Sequence, residues 1–363
     1  MGKRLPVSEL IEGMILAEGI YSSQEVRMPL VAKNTVLTKY LIDKIIKNGV
    51  REAMVVADFK PPALINVPKE QPAVGAILRR ELLTNLEDVF YLVQQEDKGI
   101  LSAKVRAFEE GIGQLVNAII KDKRTMVNIN SLKSFDEYTY HHSLSVAVVS
   151  IAIAQAIGFS NRNLKQMGKC AMMHDIGKIA IPLQIINKSS RLDAEEYRII
   201  KNHSPEGFKY LSNKDIGNDE LWYGVMYHHE KYDGTGYPLG LRGDEIPLLS
   251  RIIAVADVYD ALTSNRPYRQ PMQPAEAMEY IMSGVGTFFD YDIVMAFLSK
   301  INPYPLGSLV ELSNGKIAIV INNEFALRPV VQVLENGNIF DLYNDRQCLN
   351  IVIRQMFLDP PDP

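Results

Sequence analysis

The sequence predicts a multidomain chain: a central all-α helical bundle between an N-terminal α+β module and a small C-terminal β appendage. Three observations predict it. Apolar residues keep a helical rhythm through most of the stretch from residue 76 to residue 300. After Pro303 the period changes to two, around Asn314-Gly315 and Asn336-Gly337, pairs that mark hairpins. All six histidines lie between His141 and His229, with none in the first 140 residues or the last 134. A length of 363 residues is too great for one compact core, and 47% hydrophobic with 23% charged residues excludes wholesale disorder. The expected boundaries are 1–62 for the N-terminal module and 63–128 for a linker with connector helices. The histidine-bearing domain then takes 129–302 and the appendage 303–363.

In the N-terminal module, Thr38 reads as the N-cap of a helix whose apolar face is Leu41, Ile42, Ile45 and Ile46. Gly49 stands where a C′ glycine belongs, and Val50 to Ala57 reads as a strand. Pro61, Pro62, Pro68 and Pro72 punctuate a linker. From Ala76 to Asp122 the chain turns helical, and Val105, Phe108, Ile112, Leu115, Val116 and Ile119 keep the i, i+3, i+4 spacing of a helix docked on a core. The apolar run Val146 to Phe159 is too short to span a bilayer and reads as a buried helix. In the appendage, Val310 and Leu312 pair with Ile317, Ile319 and Ile321 across the first hairpin, and Val330, Val331 and Val333 open the second.

Charge narrows the function. Lys plus Arg number 39 against 43 Asp plus Glu, a net charge of −4, which disfavours a nucleic-acid polymer or an anionic membrane as partner. An anionic ligand would have to meet a local basic cluster. Cys170 and Cys348 cannot make a disulfide framework or a thiolate cage and suit a reducing cytoplasm; no signal peptide or membrane segment is expected.

The chemistry is concentrated in His142, His174-Asp175, His203, His228-His229 and Asp257. These recur at intervals of 25 to 32 residues, about one helix plus its connection, which is how a bundle assembles a metal site from facing helices. Imidazoles and carboxylates without thiolates suit iron, manganese or zinc. Seven ligands fit two ions better than one, and an aspartate can bridge a pair, one oxygen to each. Two ions about 3.5–4 Å apart can share a hydroxide and brace an in-line attack on phosphorus. Asp257 lies within an apolar helix, where a carboxylate is costly to bury unless paired or metal-bound. A lone histidine is more often a structural hydrogen-bonder, and His141 is the expected example. Asp260 reads as a cap or salt-bridge partner.

These residues carry a resemblance. His174-Asp175-Ile176-Gly177-Lys178 is similar to the HDxGK signature of the HD superfamily of metal-dependent phosphohydrolases. His228-His229-Glu230 with Asp233-Gly234-Thr235-Gly236-Tyr237-Pro238 resembles the HHE and DGxGYP signatures of the HD-GYP subfamily. The run from Ala256 to Arg269 looks like that family's last metal-ligand helix with its RPYR end. The first residues, with Pro6-Val7-Ser8-Glu9-Leu10 and Gly13-Met14, resemble an accessory domain often found before HD-GYP domains.

The resemblance implies a cyclic-di-GMP phosphodiesterase that yields linear pGpG, with GMP as a second-step product. It implies His142, His174, Asp175 and Asp257 around one divalent ion. Asp175 as a bridge, with His203, His228 and His229, would hold the other. Iron or manganese come first, and zinc accepts the same ligands. Asp175 and Lys178 carry the catalytic role, Lys178 reaching the scissile phosphate or the metal-bound water. Lys178, Gly236, Tyr237, Arg266 and Arg269 line the dinucleotide pocket, where arginine's planar fork suits both phosphate and guanine. A homodimer and contact with diguanylate cyclases or another signalling partner are family properties to which no residue here points.

One position departs from part of the family. Some members carry a glutamate four residues before the first histidine ligand as a third-metal residue; here it is Tyr138, with Glu137 beside it in the wrong phase. A binuclear site is therefore expected, with pGpG the main product. Gly243-Asp244-Glu245 lacks the preceding glycine and the surrounding domain of a cyclase signature. Two rival readings stay open: an HD phosphohydrolase acting on another nucleotide or cyclic dinucleotide, and a catalytically impaired cyclic-di-GMP receptor.

Overall fold

The computed structural model describes residues 2–11, 14, 16–21, 30–31, 33, 37, 39–56, 74–95, 98–121, 138–188, 190–214, 216–264 and 271–357. The chain divides into two compact units, 1–70 together with 304–363, and 71–303. Thr38, the linker prolines, Gly13, Glu137, Arg266 and Arg269 lie outside the described residues, as does the side chain of Tyr138.

In the first unit, β1 (Gly2–Pro6) pairs antiparallel with β2 (Glu52–Val56), and α1 (Lys39–Lys47) supplies Ile45 to a small core with Leu5, Leu16, Leu37 and Val55. Leu41 and Ile42 pack against that core, but Ile46 is 52% exposed, so the apolar face is one residue narrower than the periodicity implies. Gly49 takes φ +73° and its N–H donates to Ile46 O at 2.9 Å, the left-handed stop that a Cβ would oppose. Its β part is a five-stranded antiparallel sheet. β3 (Leu309–Leu312), β4 (Ile317–Asn322), β5 (Val330–Val333), β6 (Ile339–Asp341) and β7 (Ile353–Phe357) lie in the order β6-β5-β4-β3-β7. Gly315 and Gly337, at φ +77° and +75°, turn the two expected hairpins. In β4 it is Ala318 and Val320 that are fully buried, while Ile317, Ile319 and Ile321 are half-buried on the opposite face. The pleat decides by alternation, and both alternating sets were apolar.

The second unit is helical. α2 (Ala76–Val93) and α3 (Lys98–Lys121) pack on each other, and Val105, Phe108, Ile112, Leu115, Val116 and Ile119 of α3 all enter the core. α4 (Tyr138–Ala156) is apolar round most of its circumference and accordingly sits in the middle, against α5 (Asn161–Met172), α10 (Leu248–Thr263) and α12 (Tyr291–Lys300). Each leucine, isoleucine or valine it buries is worth about 1.5–3 kcal/mol of transfer free energy. Between α5 and α10 the chain runs through α6 (Leu183–Ile186), α7 (Ala194–Lys201), α8 (His203–Ser212) and α9 (Asp219–Met226); α11 (Pro274–Ser283) follows α10. Local chemistry starts these helices: Ser160 caps α5, Asn218 caps α9, and Asp193 with Glu196 forms a capping box on α7. Among the described residues no helix is long and apolar enough to cross a membrane.

Candidate metal centre

Three of the expected ligands are set by one device. His174 follows α5, His203 follows α7, and His228 follows α9. Helix C-termini leave backbone carbonyls without intrahelical donors. The Nδ1–H of His174 donates to Ala171 O at 2.8 Å, that of His203 to Ile200 O at 2.7 Å, and that of His228 to Val225 O at 2.6 Å. An imidazole that donates from Nδ1 presents an unprotonated Nε2, the atom that binds a metal. His142 lies in the first turns of α4, where no such carbonyl is available. Its Nδ1–H donates instead to Asp260 Oδ2 at 2.7 Å, across to α10. Asp260 is therefore the buried salt-bridge partner that orients His142, one helical turn beyond Asp257.

All seven expected ligands converge. His142, His174 and Asp175 offer ligand atoms within 4.8 Å of one another, as do His203, His228 and His229; a third group, His174, His228 and Asp257, joins the two. Asp175 lies between. Its Oδ2 is 3.7 Å from His142 Nε2 and 3.4 Å from His174 Nε2, while its Oδ1 is 3.5 Å from His203 Nε2. Asp257 Oδ1 is 3.2 Å from His142 Nε2. Lys178 Nζ pairs with Asp175 Oδ2 at 2.5 Å. His141 turns away and meets the Arg79 guanidinium at 3.1 Å, the structural role expected of it.

The donor set fits divalent cations on its own evidence. His203 Nε2 and His228 Nε2 face each other at 3.3 Å, although both rings spend their proton at Nδ1. Two lone pairs in that position repel unless a cation lies between them. His174 Nε2 is buried without a hydrogen-bond partner among the described residues.

The electrostatics agree. Burial pushes His174, His203 and His228 below their ordinary pKa, and burial with the neighbouring His203 takes His229 down to about 3. These four rings are neutral, as ligation requires. Burial alone would raise Asp175, but the Lys178 ammonium first, and then the charged His142, hold it well below the carboxylate range. Burial also opposes charge on His142, yet its hydrogen bonds to Asp257 and Asp260 raise it to about 9. The signs set the pH profile of the metal-free chain. The four depressed imidazoles stay neutral in the fold while the unfolded chain protonates, so stability falls as pH drops below about 6.5 and continues to fall toward 3. His142 acts oppositely: its contribution is full below about 6.5 and is lost as pH rises through about 9. Urea unfolding of metal-free protein should therefore be most resistant near neutral pH. A midpoint that climbs steadily to pH 4 would contradict the neutral imidazoles.

Gly177 explains why the His-Asp turn can reach His203. A Cβ there would lie 1.8 Å from His203 O and 2.4 Å from Gly207 N. Gly236 is required by the same kind of contact, since its Cβ would meet Lys231 N at 2.3 Å. The Tyr237 ring lies against the His229 ring, centroids 4.7 Å apart, and its N–H donates to His229 O at 3.2 Å.

Glu230 is a functional residue that the sequence reading quoted within a motif without giving it a role. Its buried carboxylate accepts from Leu239 N at 2.7 Å, Gly240 N at 3.0 Å and Leu241 N at 3.2 Å, and so ties down the chain that follows Tyr237-Pro238. The available signal was a carboxylate directly after two ligands, where solvation is poor. Glu230→Gln removes the charge and turns an amide toward backbone N–H groups. It should cost about 1–3 kcal/mol in urea unfolding while metal content holds. Unchanged stability would show that the carboxylate is not an anchor.

Residues 115–293 match the family described as HD domain. The chain is 34% identical over 224 residues to a cyclic di-GMP phosphodiesterase of Pseudomonas aeruginosa, covering 61% of this chain and 54% of that protein. It is 37% identical over 171 residues to a 3'3'-cGAMP-specific phosphodiesterase of Vibrio cholerae, covering 47% of this chain and 38% of that one. The chain thus spans about half or less of the length of these curated relatives. In fold it is similar to an HDG"Y"P protein from Bdellovibrio bacteriovorus, with TM-score 0.51 at 18% identity over 82% of this chain and 98% of that chain. The family match over residues 115–293 spans the HDxGK and HHE residues gathered at one buried centre, so this part of the chain is similar to an HD domain.

Proposed function

We propose that the chain is a metal-dependent phosphodiesterase that opens cyclic-di-GMP to linear pGpG. The observation that carries the reading is Asp175, buried with one oxygen toward His142 and His174 and the other toward His203 of the His203, His228 and His229 group. The names of its relatives supply the substrate class. In this reading His142, His174 and Asp257 would hold one divalent ion, His203, His228 and His229 would hold a second, and Asp175 would serve both. Iron or manganese suits the donor set. Bound there, the ions would neutralise charge developing on phosphorus and acidify the attacking water.

The chain's own groups do the rest. Lys178 is 29% exposed in its side chain and pairs with Asp175, so its ammonium can turn to a phosphate oxygen as negative charge builds. Tyr237 is held protonated by burial, then by Tyr197, Asp257 and Asp175, and offers a neutral hydroxyl beside His229. Arg266 and Arg269 remain substrate contacts by resemblance alone.

The test is one preparation, handled without oxygen so that a ferrous site is not oxidised. Metal content is measured, and products from cyclic-di-GMP, 3'3'-cGAMP and dNTPs are separated by chromatography. Two metals per chain and pGpG as main product are expected. Preference for 3'3'-cGAMP or a dNTP would move the reading to that substrate. Tight binding of cyclic-di-GMP without product, from metal-loaded protein, would establish a receptor instead.

A further inference from the structure

We infer that Lys201, clasped between Tyr197 and Tyr237, contacts the phosphate of the substrate that is not being cleaved. The inference rests on the phosphodiesterase reading above. Lys201 Nζ lies 4.5 Å from the Tyr197 ring centroid and 5.1 Å from that of Tyr237, and the Tyr237 ring in turn leans on His229. The lysine is thus two ring contacts from a proposed metal ligand. Its place is fixed by the chain, because Lys201 ends α7 and His203 begins α8.

The partners of this lysine are aromatic, and it has two of them, one of which leans on the centre. Lys178 is matched by Asp175, Lys188 by Glu196 and Lys169 by Glu109. Among the described residues no carboxylate lies within ion-pair distance of Lys201. The acids of its own helix are engaged elsewhere, Glu195 with Arg198 and Glu196 with Lys188. Two aromatic faces attract and hold an ammonium without cancelling its charge. An uncancelled cation on the rim of a centre built for one phosphodiester suits a second anionic group on the same ligand. A cyclic dinucleotide has one; a simple phosphodiester does not. Tyr197, 49% exposed, and Tyr237 then act as walls that aim the ammonium and leave ring surface for a base.

The test compares wild type, Lys201→Gln and Lys201→Arg as full-length, metal-loaded protein on cyclic-di-GMP and on bis(p-nitrophenyl) phosphate, which has one phosphate. A charge-assisted contact predicts that K201Q lowers kcat/KM for the cyclic dinucleotide about tenfold more than for the simple diester. The loss should appear in KM, and K201R should recover most of it. Equal losses on both substrates, or a loss that the arginine does not recover, would overturn the assignment and make Lys201 a structural clasp. Wild type that cleaves the simple diester and leaves cyclic-di-GMP intact would overturn the parent reading, and this one with it.

Discussion

Asp175→Asn is expected to abolish hydrolysis, on the order of a thousandfold or more, and to leave the chain deficient in metal. The carboxylate is 2% exposed and faces both ligand groups: Oδ2 looks toward His142 and His174, Oδ1 toward His203. Asparagine keeps the shape but offers one acceptor oxygen, and its amide group would turn N–H toward an Nε2 or a metal. The substitution also strips the counter-charge from Lys178, paired at 2.5 Å. Lys178 is partly exposed, so water offsets part of the cost of leaving its ammonium unpaired, and the fold should survive the change. A circular-dichroism melt separates loss of fold from loss of site. The informative case is a folded variant assayed for metal by mass spectrometry and for product under single turnover. Two metals with near-normal turnover would mean that Asp175 bridges nothing.

The candidate ligand set was legible because imidazoles and carboxylates gathered from successive helices recur at helix-length intervals along the sequence. Histidine is scarce here, and His142, His174, His203 and the pair His228-His229 are spaced about one helix apart, with an Asp directly after His174. Helical period and hairpin pairs were legible for the same reason, since each is a local pattern. What stayed hidden depends on which backbone approaches which. Glu230 is identified by three amide groups nine to eleven residues away, and Asp260 by a ring 118 residues earlier. Neither distance leaves a period. Lys201 reads as an ordinary lysine ending an amphipathic helix until Tyr237 is folded over it. In β4 the hairpin was legible but its inner face was not: Ala318 and Val320 against three isoleucines is a choice between two apolar sets, which hydrophobicity alone does not decide.

Gly177→Ala should be the most damaging small substitution in the domain, and glycine's usual conformational freedom does not explain why. Gly177 is not among the positive-φ glycines, so alanine fits the local backbone and is intrinsically the better helix former. The obstacle is tertiary. The added carbon would lie 1.8 Å from His203 O, 2.8 Å from His203 C and 2.4 Å from Gly207 N. All three are backbone atoms, so no rotamer change relieves the contact. The turn carrying His174 and Asp175 must lift away from α8, widening the gap that the metal centre spans, now 3.5 Å from Asp175 Oδ1 to His203 Nε2. Overpacking of this kind costs about 1–3 kcal/mol or more. A shift of about 1 Å in a catalytic constellation costs on the order of a hundredfold in rate. Gly207→Ala is the control on the facing backbone: its Cβ would meet Val225 Cγ1 at 3.0 Å and Gly177 N at 3.2 Å, contacts that yield to small movements. Urea midpoints, metal content and turnover should therefore all rank wild type, then G207A, then G177A well below. Equal effects at the two glycines, or a G177A protein with full metal and wild-type stability, would show that the turn and α8 are not held at backbone contact.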